Sequence, residues 1–231
     1  MNRILAGKKV VFFDVGYTID YPASGDWMFT RKFNEVAGER IQNCSEEQIR
    51  QARNVGMAYL ERNHFIRDEK EEVATLYNYY KIISDELKIG MTSEETEAVA
   101  ADRAYNMDNY VIYPDAKQVL QSLSGTYRLG IISDTWPSIE NQLSKLGVRQ
   151  FFSFATYSFE LGVFKPDRRL YLDALHKCGC DAKETVFVDD SPINLEGAES
   201  VGITPILIAA NPASDVDTPY LKIHDLSELI M

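Results

Sequence analysis

The chain contains 231 residues, of which 45% are hydrophobic and 26% are charged, and its formal net charge is −11. This composition is ordinary for a globular protein and excludes a disordered or low-complexity chain. The acidic balance argues against nucleic acid as a partner, because a surface of that sign repels a phosphate backbone. A small phosphorylated ligand remains compatible if a metal ion, a lysine or backbone N–H groups neutralise its charge locally.

The cysteines and the first residues predict the compartment. Three cysteines form an odd set that is best explained as reduced thiols, namely Cys44, Cys178 and Cys180. The chain reaches the pair Lys8 and Lys9 before any long apolar run, so its start resembles neither a signal peptide nor a transmembrane helix. We therefore expect a cytoplasmic protein, monomeric or dimeric, without a membrane partner.

The first predicted element is a short strand at residues 10–13. Its sequence, Val-Val-Phe-Phe, is wholly apolar and is bounded by Lys9 and Asp14. Such a run is typical of a central parallel strand that is covered on both faces. We therefore assign residues 1–20 to the core domain that contains the sheet.

The segment 21–105 has the periodicity of helices. Two residue pairs in it fit capping boxes, Ser45 with Gln48 and Thr92 with Glu95. A long helix is indicated by apolar residues at three- and four-residue spacing, which are Val73, Leu76, Tyr77, Tyr80, Ile83 and Leu87. We find no convincing strand pattern here, so we predict an inserted domain of about four helices.

From residue 106 onward the pattern alternates between helix and strand. Apolar runs predict strands at 129–132, 151–157, 185–188 and 205–208, each preceded by an amphipathic helical segment. Repeated β-α units of this kind form a doubly wound parallel sheet. The predicted fold is therefore α/β, with residues 1–20 and 106–231 forming the core and 21–105 forming an all-helical insertion.

Reactive side chains stand where the predicted strands end. They are Asp14 after the first strand, Ser133 and Asp134 after the second, Lys165 in the loop after the third, and Asp189 with Asp190 after the fourth. Ligand sites of open α/β sheets lie at the carboxyl ends of the strands. We therefore expect these carboxylates, the hydroxyl and the ammonium group to converge on one crevice.

This set of side chains suits displacement at phosphorus. The carboxylate of Asp14 can attack a phosphoryl group to form an acyl phosphate. Asp14 and Asp190 offer the hard oxygen ligands that Mg²⁺ prefers. Lys165 and Ser133 can stabilise the charge of the transferring group.

Four motifs that carry these residues resemble those of the haloacid dehalogenase-like superfamily, in the same order. They are FDVGYTID at 13–20, IISD at 131–134, SFELGVFKPD at 158–167 and VDDSPINLEGA at 188–198. A helical cap inserted after the first motif is also a feature of that family, so the resemblance covers essentially the whole chain. It implies a Mg²⁺-dependent phosphatase that acts on a small phosphorylated metabolite.

The resemblance also implies a role for each matching residue. Asp14 would be the nucleophile that carries an aspartyl-phosphate, and Ser133 and Lys165 would contact the phosphate. The metal ligands would be Asp14, the backbone carbonyl of Gly16 and Asp190, with Asp189 or Asn194 supporting the metal site. Thr18 and Asp134 are further candidates for substrate contacts, although shaping the turns around them is the simpler interpretation of both.

One position departs from the family pattern. Phosphatases of the family place a second aspartate two residues after the nucleophile as general acid and base, and this chain has Gly16 there. General acid–base catalysis contributes roughly 10²- to 10⁴-fold, so esters with poor leaving groups should react slowly. Asp20, Tyr17 or a cap residue remain open as substitutes, and an acyl or aryl phosphate would suffer less.

This departure leaves three alternatives to consider. Relatives that cleave carbon–halogen bonds lack the second aspartate and work without metal, but Asp189 and Asp190 beside Asp14 would then repel one another without a cation. Relatives that cleave phosphonates use a cap lysine, and residues 33–69 contain none. The third alternative is a regulatory protein that binds phosphate and has lost turnover.

Overall fold

The structure is a computed structural model that describes residues 4–230. Its strands are, in chain order, β1 Val10–Phe13, β2 Asp20–Pro22, β3 Tyr110–Ile112, β4 Arg128–Ser133, β5 Phe152–Tyr157, β6 Thr185–Asp189, β7 Thr204–Ile208 and β8 Leu221–Ile223. Its α-helices are α1 Arg31–Ile41, α2 Glu46–Arg62, α3 Glu69–Leu87, α4 Ser93–Tyr105, α5 Ala116–Ser124, α6 Ile139–Lys145, α7 Ser158–Leu161, α8 Arg168–Cys178 and α9 Pro192–Glu199. Within this part of the chain, no helix has both the length and the apolar character needed to cross a bilayer.

Six strands form one parallel sheet in the order β5-β4-β1-β6-β7-β8, while β2 and β3 form a separate two-stranded sheet. The predicted α/β fold with a parallel sheet is therefore confirmed. The central strand β1 is completely buried, as its unbroken apolar run predicts. The sequence analysis missed β8, because this short edge strand has only two apolar residues and one of them, Leu221, is exposed.

The register of the sheet sets the level at which the strands end. Phe13 at the end of β1 lies opposite Ile131 of β4 and Val188 of β6. The next residue, Asp14, donates its backbone N–H to the carbonyl of Val188 at 2.9 Å. The ends of β1 and β6 are therefore fixed side by side, and Ser133 ends the neighbouring strand β4.

The chain divides into two compact units. Within the described residues, the α/β unit comprises 4–21, Ile112–Thr135 and 143–230, and the helical unit comprises Pro22–Val111 and Trp136–Gln142. The inclusion of Trp136–Gln142 in the helical unit was not indicated by the sequence. The assignment of 21–105 as a cap that covers a substrate stays a prediction.

Four helices, α1 to α4, make up most of the helical unit. Both predicted capping boxes are present at the starts of α2 and α4. The predicted apolar stripe of α3 is partly wrong, because Tyr79 is fully buried whereas Tyr77 is only partly buried. A carboxylate, Glu72, also lies on the buried face of α3, where spacing alone predicts an apolar residue.

Candidate active site

A buried ion-pair cluster lies at the carboxyl ends of β1 and β6. The ammonium nitrogen of Lys165 lies 2.9 Å from Oδ1 of Asp14 and 2.7 Å from Oδ2 of Asp189. The side chains of Lys165 and Asp189 are 1% and 0% exposed, and that of Asp14 is 11% exposed. Charges buried this deeply are stable only when they are paired, so the three groups form one electrostatic unit.

The loop that carries Lys165 is fixed by its neighbours. The backbone N–H of Lys165 donates to Oδ1 of Asp134 at 2.9 Å, and its ammonium group lies over the ring of Phe187, 5.4 Å from the centroid. Burial lowers the pKa of Lys165, but the carboxylates of Asp14, Asp189 and Asp134 outweigh it and hold that pKa well above the usual value. Lys165 is therefore a permanent cation in this site.

Asp189 is fully engaged inside the protein. Its Oδ1 accepts hydrogen bonds from the backbone N–H of Ser191 at 2.8 Å and from the amide of Asn194 at 3.0 Å. Its Oδ2 faces Lys165 and also lies 3.2 Å from the Asn194 amide. These contacts use most of the acceptor capacity of the carboxylate, so Asp189 orients Lys165 and the turn after β6.

Asp190 is the carboxylate of the cluster that Lys165 does not pair. Oxygen atoms of Asp14, Asp189 and Asp190 lie within 4.8 Å of one another, and Ser214 donates its hydroxyl to Oδ2 of Asp190 at 2.8 Å. Burial, followed by the negative charges of Asp14 and Asp189, raises the pKa of Asp190 to about 7. When ionised, Asp190 therefore carries a negative charge that Lys165 does not pair.

The donor set fits a divalent cation. Three carboxylates against one ammonium group leave a net charge of −2, and carboxylate oxygens are the ligands that Mg²⁺ prefers. Each of the three carboxylates could offer an oxygen to the ion, and both oxygens of Asp189 already have partners within the protein. A bound Mg²⁺ would neutralise the cluster and attract a phosphate group.

We expect Mg²⁺ to raise the melting temperature more at pH 8 than at pH 5.5. The pKa of Asp190 is raised to about 7, because ionising this buried carboxylate is unfavourable. The folded protein therefore becomes less stable as the pH rises through this value. The metal relieves that cost at pH 8, whereas protons compete with it at pH 5.5. At a Mg²⁺ concentration of 100 times the dissociation constant, the stabilisation at pH 8 should be about 2.7 kcal/mol.

Differential scanning fluorimetry with MgCl₂, and with NaCl at equal ionic strength, measures this difference. Asp190→Asn should remove most of the Mg²⁺-induced shift at pH 8. A shift that is equal at the two pH values, or that persists in Asp190→Asn, would show that the metal binds elsewhere.

The loop between β1 and β2 contains the remaining predicted residues, Gly16 and Thr18. Gly16 forms an isolated bridge with Asp20, and Tyr17 adopts a positive φ of 54° while its N–H donates to the Asp20 carbonyl at 2.7 Å. Thr18 is fully buried, and its hydroxyl makes no hydrogen bond with any residue between 4 and 230. The loop is a tight turn, so shaping it is a sufficient role for Thr18, and its contact with substrate stays a prediction.

The structure also shows supporting residues that the sequence analysis missed. Ser214 reaches Asp190 from 24 residues away, and the hydroxyl of Tyr171 donates to the Asn194 carbonyl at 2.7 Å. Gly197 lets α9 approach the Lys165 loop, because a Cβ there would lie 2.8 Å from Pro166. A glycine within a helical pattern was the only available signal for this packing.

The family of the chain is shown by its similarity to known proteins. The profile of the haloacid dehalogenase-like hydrolase family matches residues 27–208. The chain belongs to this family. The matched segment includes the second, third and fourth motifs of this HAD-like hydrolase, whereas Asp14 precedes it.

Individual relatives agree with this assignment. The glyceraldehyde 3-phosphate phosphatase of Methanopyrus kandleri is 24% identical to the chain over 96% of its length and 95% of the relative. The Bacillus subtilis HAD hydrolase YfnB, solved with bound magnesium, superposes with a TM-score of 0.68 at 15% identity, with 96% of both chains covered. A 2-haloacid dehalogenase from Pseudomonas syringae gives 0.63 at 24% identity, also over 96% of both chains. The two structural likenesses establish the shared fold and nothing finer.

Proposed function

We propose that this HAD-like hydrolase is a Mg²⁺-dependent phosphatase of a small phosphorylated metabolite. The observation that carries the proposal is the buried cluster in which Lys165 pairs Asp14 at 2.9 Å beside the carboxylates of Asp189 and Asp190. The similarity to a glyceraldehyde 3-phosphate phosphatase along nearly the whole chain supports it.

In this proposal Asp14 is the nucleophile. Its carboxylate attacks phosphorus, the ester oxygen leaves with the electron pair of the P–O bond, and an aspartyl-phosphate forms. Water then attacks this acyl phosphate, which releases inorganic phosphate and regenerates the carboxylate. Lys165 and Ser133 stabilise the phosphoryl oxygens during both displacements. Asp14, Asp190 and the Gly16 carbonyl would hold Mg²⁺, which would offset negative charge on these oxygens.

The charge of the cluster favours phosphatase chemistry over cleavage of carbon–halogen bonds. Metal-free dehalogenation would leave Asp190 ionised beside Asp14 and Asp189 without a compensating cation, which is an unfavourable arrangement. A phosphatase with bound Mg²⁺ has a neutral cluster. The structural likeness to dehalogenases concerns the fold, which many activities share.

The glycine at position 16 predicts a strong dependence on the leaving group. Gly16 offers no side chain that could protonate a departing alkoxide, so we expect aryl and acyl phosphates to react much faster than alkyl esters. Gly16→Asp should raise kcat/KM for alkyl phosphates by roughly 10²-fold and change aryl phosphates little. Gly16→Asn is the matched control, because it adds nearly the same volume without an acid.

A series of phosphate esters of graded leaving-group pKa, assayed with Mg²⁺ and with EDTA, tests both statements. Alkyl esters that react as fast as aryl esters in the unmodified protein would show that another residue supplies the proton. Binding of phosphate and Mg²⁺ without turnover of any ester would support the regulatory alternative. Halide release from 2-haloacids that persists in EDTA would overturn the proposed activity.

A further inference from the structure

A buried carboxylate in the helical unit binds the segment that follows the second motif. The backbone N–H and the hydroxyl of Ser138 donate to Glu72 at 2.8 and 2.7 Å, and both residues are almost completely buried. Two further contacts flank the hydrogen bonds between Glu72 and Ser138. The ring of Trp136 meets that of His64 edge-on at 5.0 Å, and the amide of Asn141 donates to Glu69 at 2.5 Å.

A buried carboxylate at position 72 lowers the stability of the folded protein unless its interactions offset the burial. Glu72 lies on the buried face of α3, where the other buried residues apart from Ser84 are aliphatic or aromatic. Such a carboxylate destabilises a protein unless it is hydrogen-bonded. The buried cation in its surroundings, Arg103, donates to the carbonyl of Trp27 and to the hydroxyl of Tyr110 instead. The hydrogen bonds that offset the burial of Glu72 therefore come from Ser138.

The segment held by Glu72 begins directly after the second motif. Thr135 is fixed within the α/β unit, since its N–H donates to the hydroxyl of Ser158 at 2.8 Å. The next residue, Trp136, already belongs to the helical unit. The chain therefore passes from one anchor to the other within three residues, between Thr135 and Ser138, and Ser133 precedes this crossing by only two residues.

We propose that Glu72 is a positioning residue, which fixes Ser138 and through this short crossing sets the position of the second motif, Ser133 and Asp134. The activity readout of this inference rests on the proposed function, in which Ser133 contacts the phosphoryl group and Asp134 holds Lys165. The role proposed for Glu72 is indirect. It acts by limiting the freedom of the loop.

The ionisation of Glu72 gives the proposal a signature. Burial raises the pKa of Glu72 to about 7, against the lowering effects of the Ser138 donors and of Arg103 on α4, while Glu69 on the same helix adds to the rise. His64, which packs on Trp136, stays neutral because burial lowers its pKa to about 4. Both Ser138 groups are donors, so the anchor is strongest when Glu72 is ionised, above about pH 7.

Glu72→Gln tests the inference against Glu69→Gln, which removes a carboxylate one turn earlier on the same helix and facing the same segment. We expect Glu72→Gln to raise KM for an aryl phosphate about 10-fold at pH 8 with a smaller change in kcat. The increase in KM from pH 8 to pH 6 should be smaller in Glu72→Gln than in the unmodified protein, although the titration of Asp190 contributes to it in both. Glu69→Gln should change KM less than about 2-fold. Ser138→Ala should produce the same effect to a smaller degree, because it removes the hydroxyl donor and keeps the backbone N–H donor. The double variant should be no worse than Glu72→Gln.

Hydrogen exchange of the peptides at 131–135 and 136–142 provides a readout that is independent of turnover. We expect faster exchange in both peptides in Glu72→Gln and in neither in Glu69→Gln. Faster exchange confined to 136–142, with KM and its pH profile unchanged, would reduce Glu72 to a structural anchor and overturn the inference. If the unmodified protein lacks phosphatase activity, the dissociation constant of inorganic phosphate in the presence of Mg²⁺ replaces KM, so the two failures are distinguishable.

Discussion

Asp14→Asn should lower kcat for every phosphate ester by at least about 10⁴-fold, the scale on which enzymes lose activity when a nucleophile is removed. An amide oxygen cannot form the acyl phosphate that the proposed reaction requires. The substitution preserves the volume of the side chain, and Lys165 keeps its 2.7 Å contact with Asp189. The protein should therefore remain folded, and the loss should lie in chemistry.

Trapping of the intermediate distinguishes loss of the nucleophile from a general defect. Brief incubation with a ³²P-labelled aryl phosphate, followed by an acid quench, should leave label on the unmodified protein and none on Asp14→Asn. Asp173→Asn serves as a control, because Asp173 makes a surface ion pair with Lys177. Label retained in Asp14→Asn, or a loss of turnover below 10-fold, would assign the nucleophile to another residue.

Lys165→Met should produce the largest loss of stability. It removes the cation between two buried carboxylates and leaves Asp14 and Asp189 facing each other. Breaking a buried pair in this way typically costs 3–5 kcal/mol, which corresponds to a fall in melting temperature of about 10 °C. Turnover should also fall steeply, because no ammonium group remains to contact the phosphate.

The pH dependence of this loss has a definite sign. In the unmodified protein the pKa of Lys165 is raised, so its stabilising charge is present throughout the range from pH 5 to 8. In Lys165→Met the unpaired carboxylates repel each other most when ionised, so the deficit in free energy of unfolding should be larger at pH 8 than at pH 5. Added Mg²⁺ should restore part of it.

Urea unfolding at both pH values measures this deficit. Lys177→Met is the matched control, since Lys177 pairs with Asp173 at 2.7 Å but has a side chain that is 33% exposed. Exposed ion pairs contribute about 0–1 kcal/mol, so this variant should unfold almost normally. An equal, small effect of both variants would show that the Asp14–Lys165–Asp189 cluster is not a stabilising unit.

The central part of the fold was predictable because its signals are local. The unbroken apolar run of β1 encodes burial on both faces, and the capping boxes of α2 and α4 involve residues only three positions apart. The reactive residues after the strands were found in the same way, since the order of β-α units indicates where strand ends meet. Short patterns therefore sufficed for the sheet and for placing Asp14, Asp189 and Asp190 at neighbouring strand ends.

The roles within that site depended on contacts between distant segments. Residue spacing alone did not distinguish Asp189 from its neighbour Asp190, and only the family resemblance separated their roles. In the structure Lys165 pairs with Asp189 at 2.7 Å, and Ser214 donates to Asp190. For a related reason, α3 buries Tyr79 fully and Tyr77 only partly. Packing partners on other helices determine which face of α3 is buried.

The sequence by itself determined the α/β class, the helical insertion and the set of charged residues at the strand ends. Tertiary structure alone decided that Lys165 pairs with both Asp14 and Asp189, that Ser214 supports Asp190, and that Glu72 holds Ser138 across 66 residues of chain. The physical reason is the separation along the chain of the residues that interact. Periodicity and capping act over a few residues, whereas burial and charge pairing depend on groups that meet only after the chain has folded.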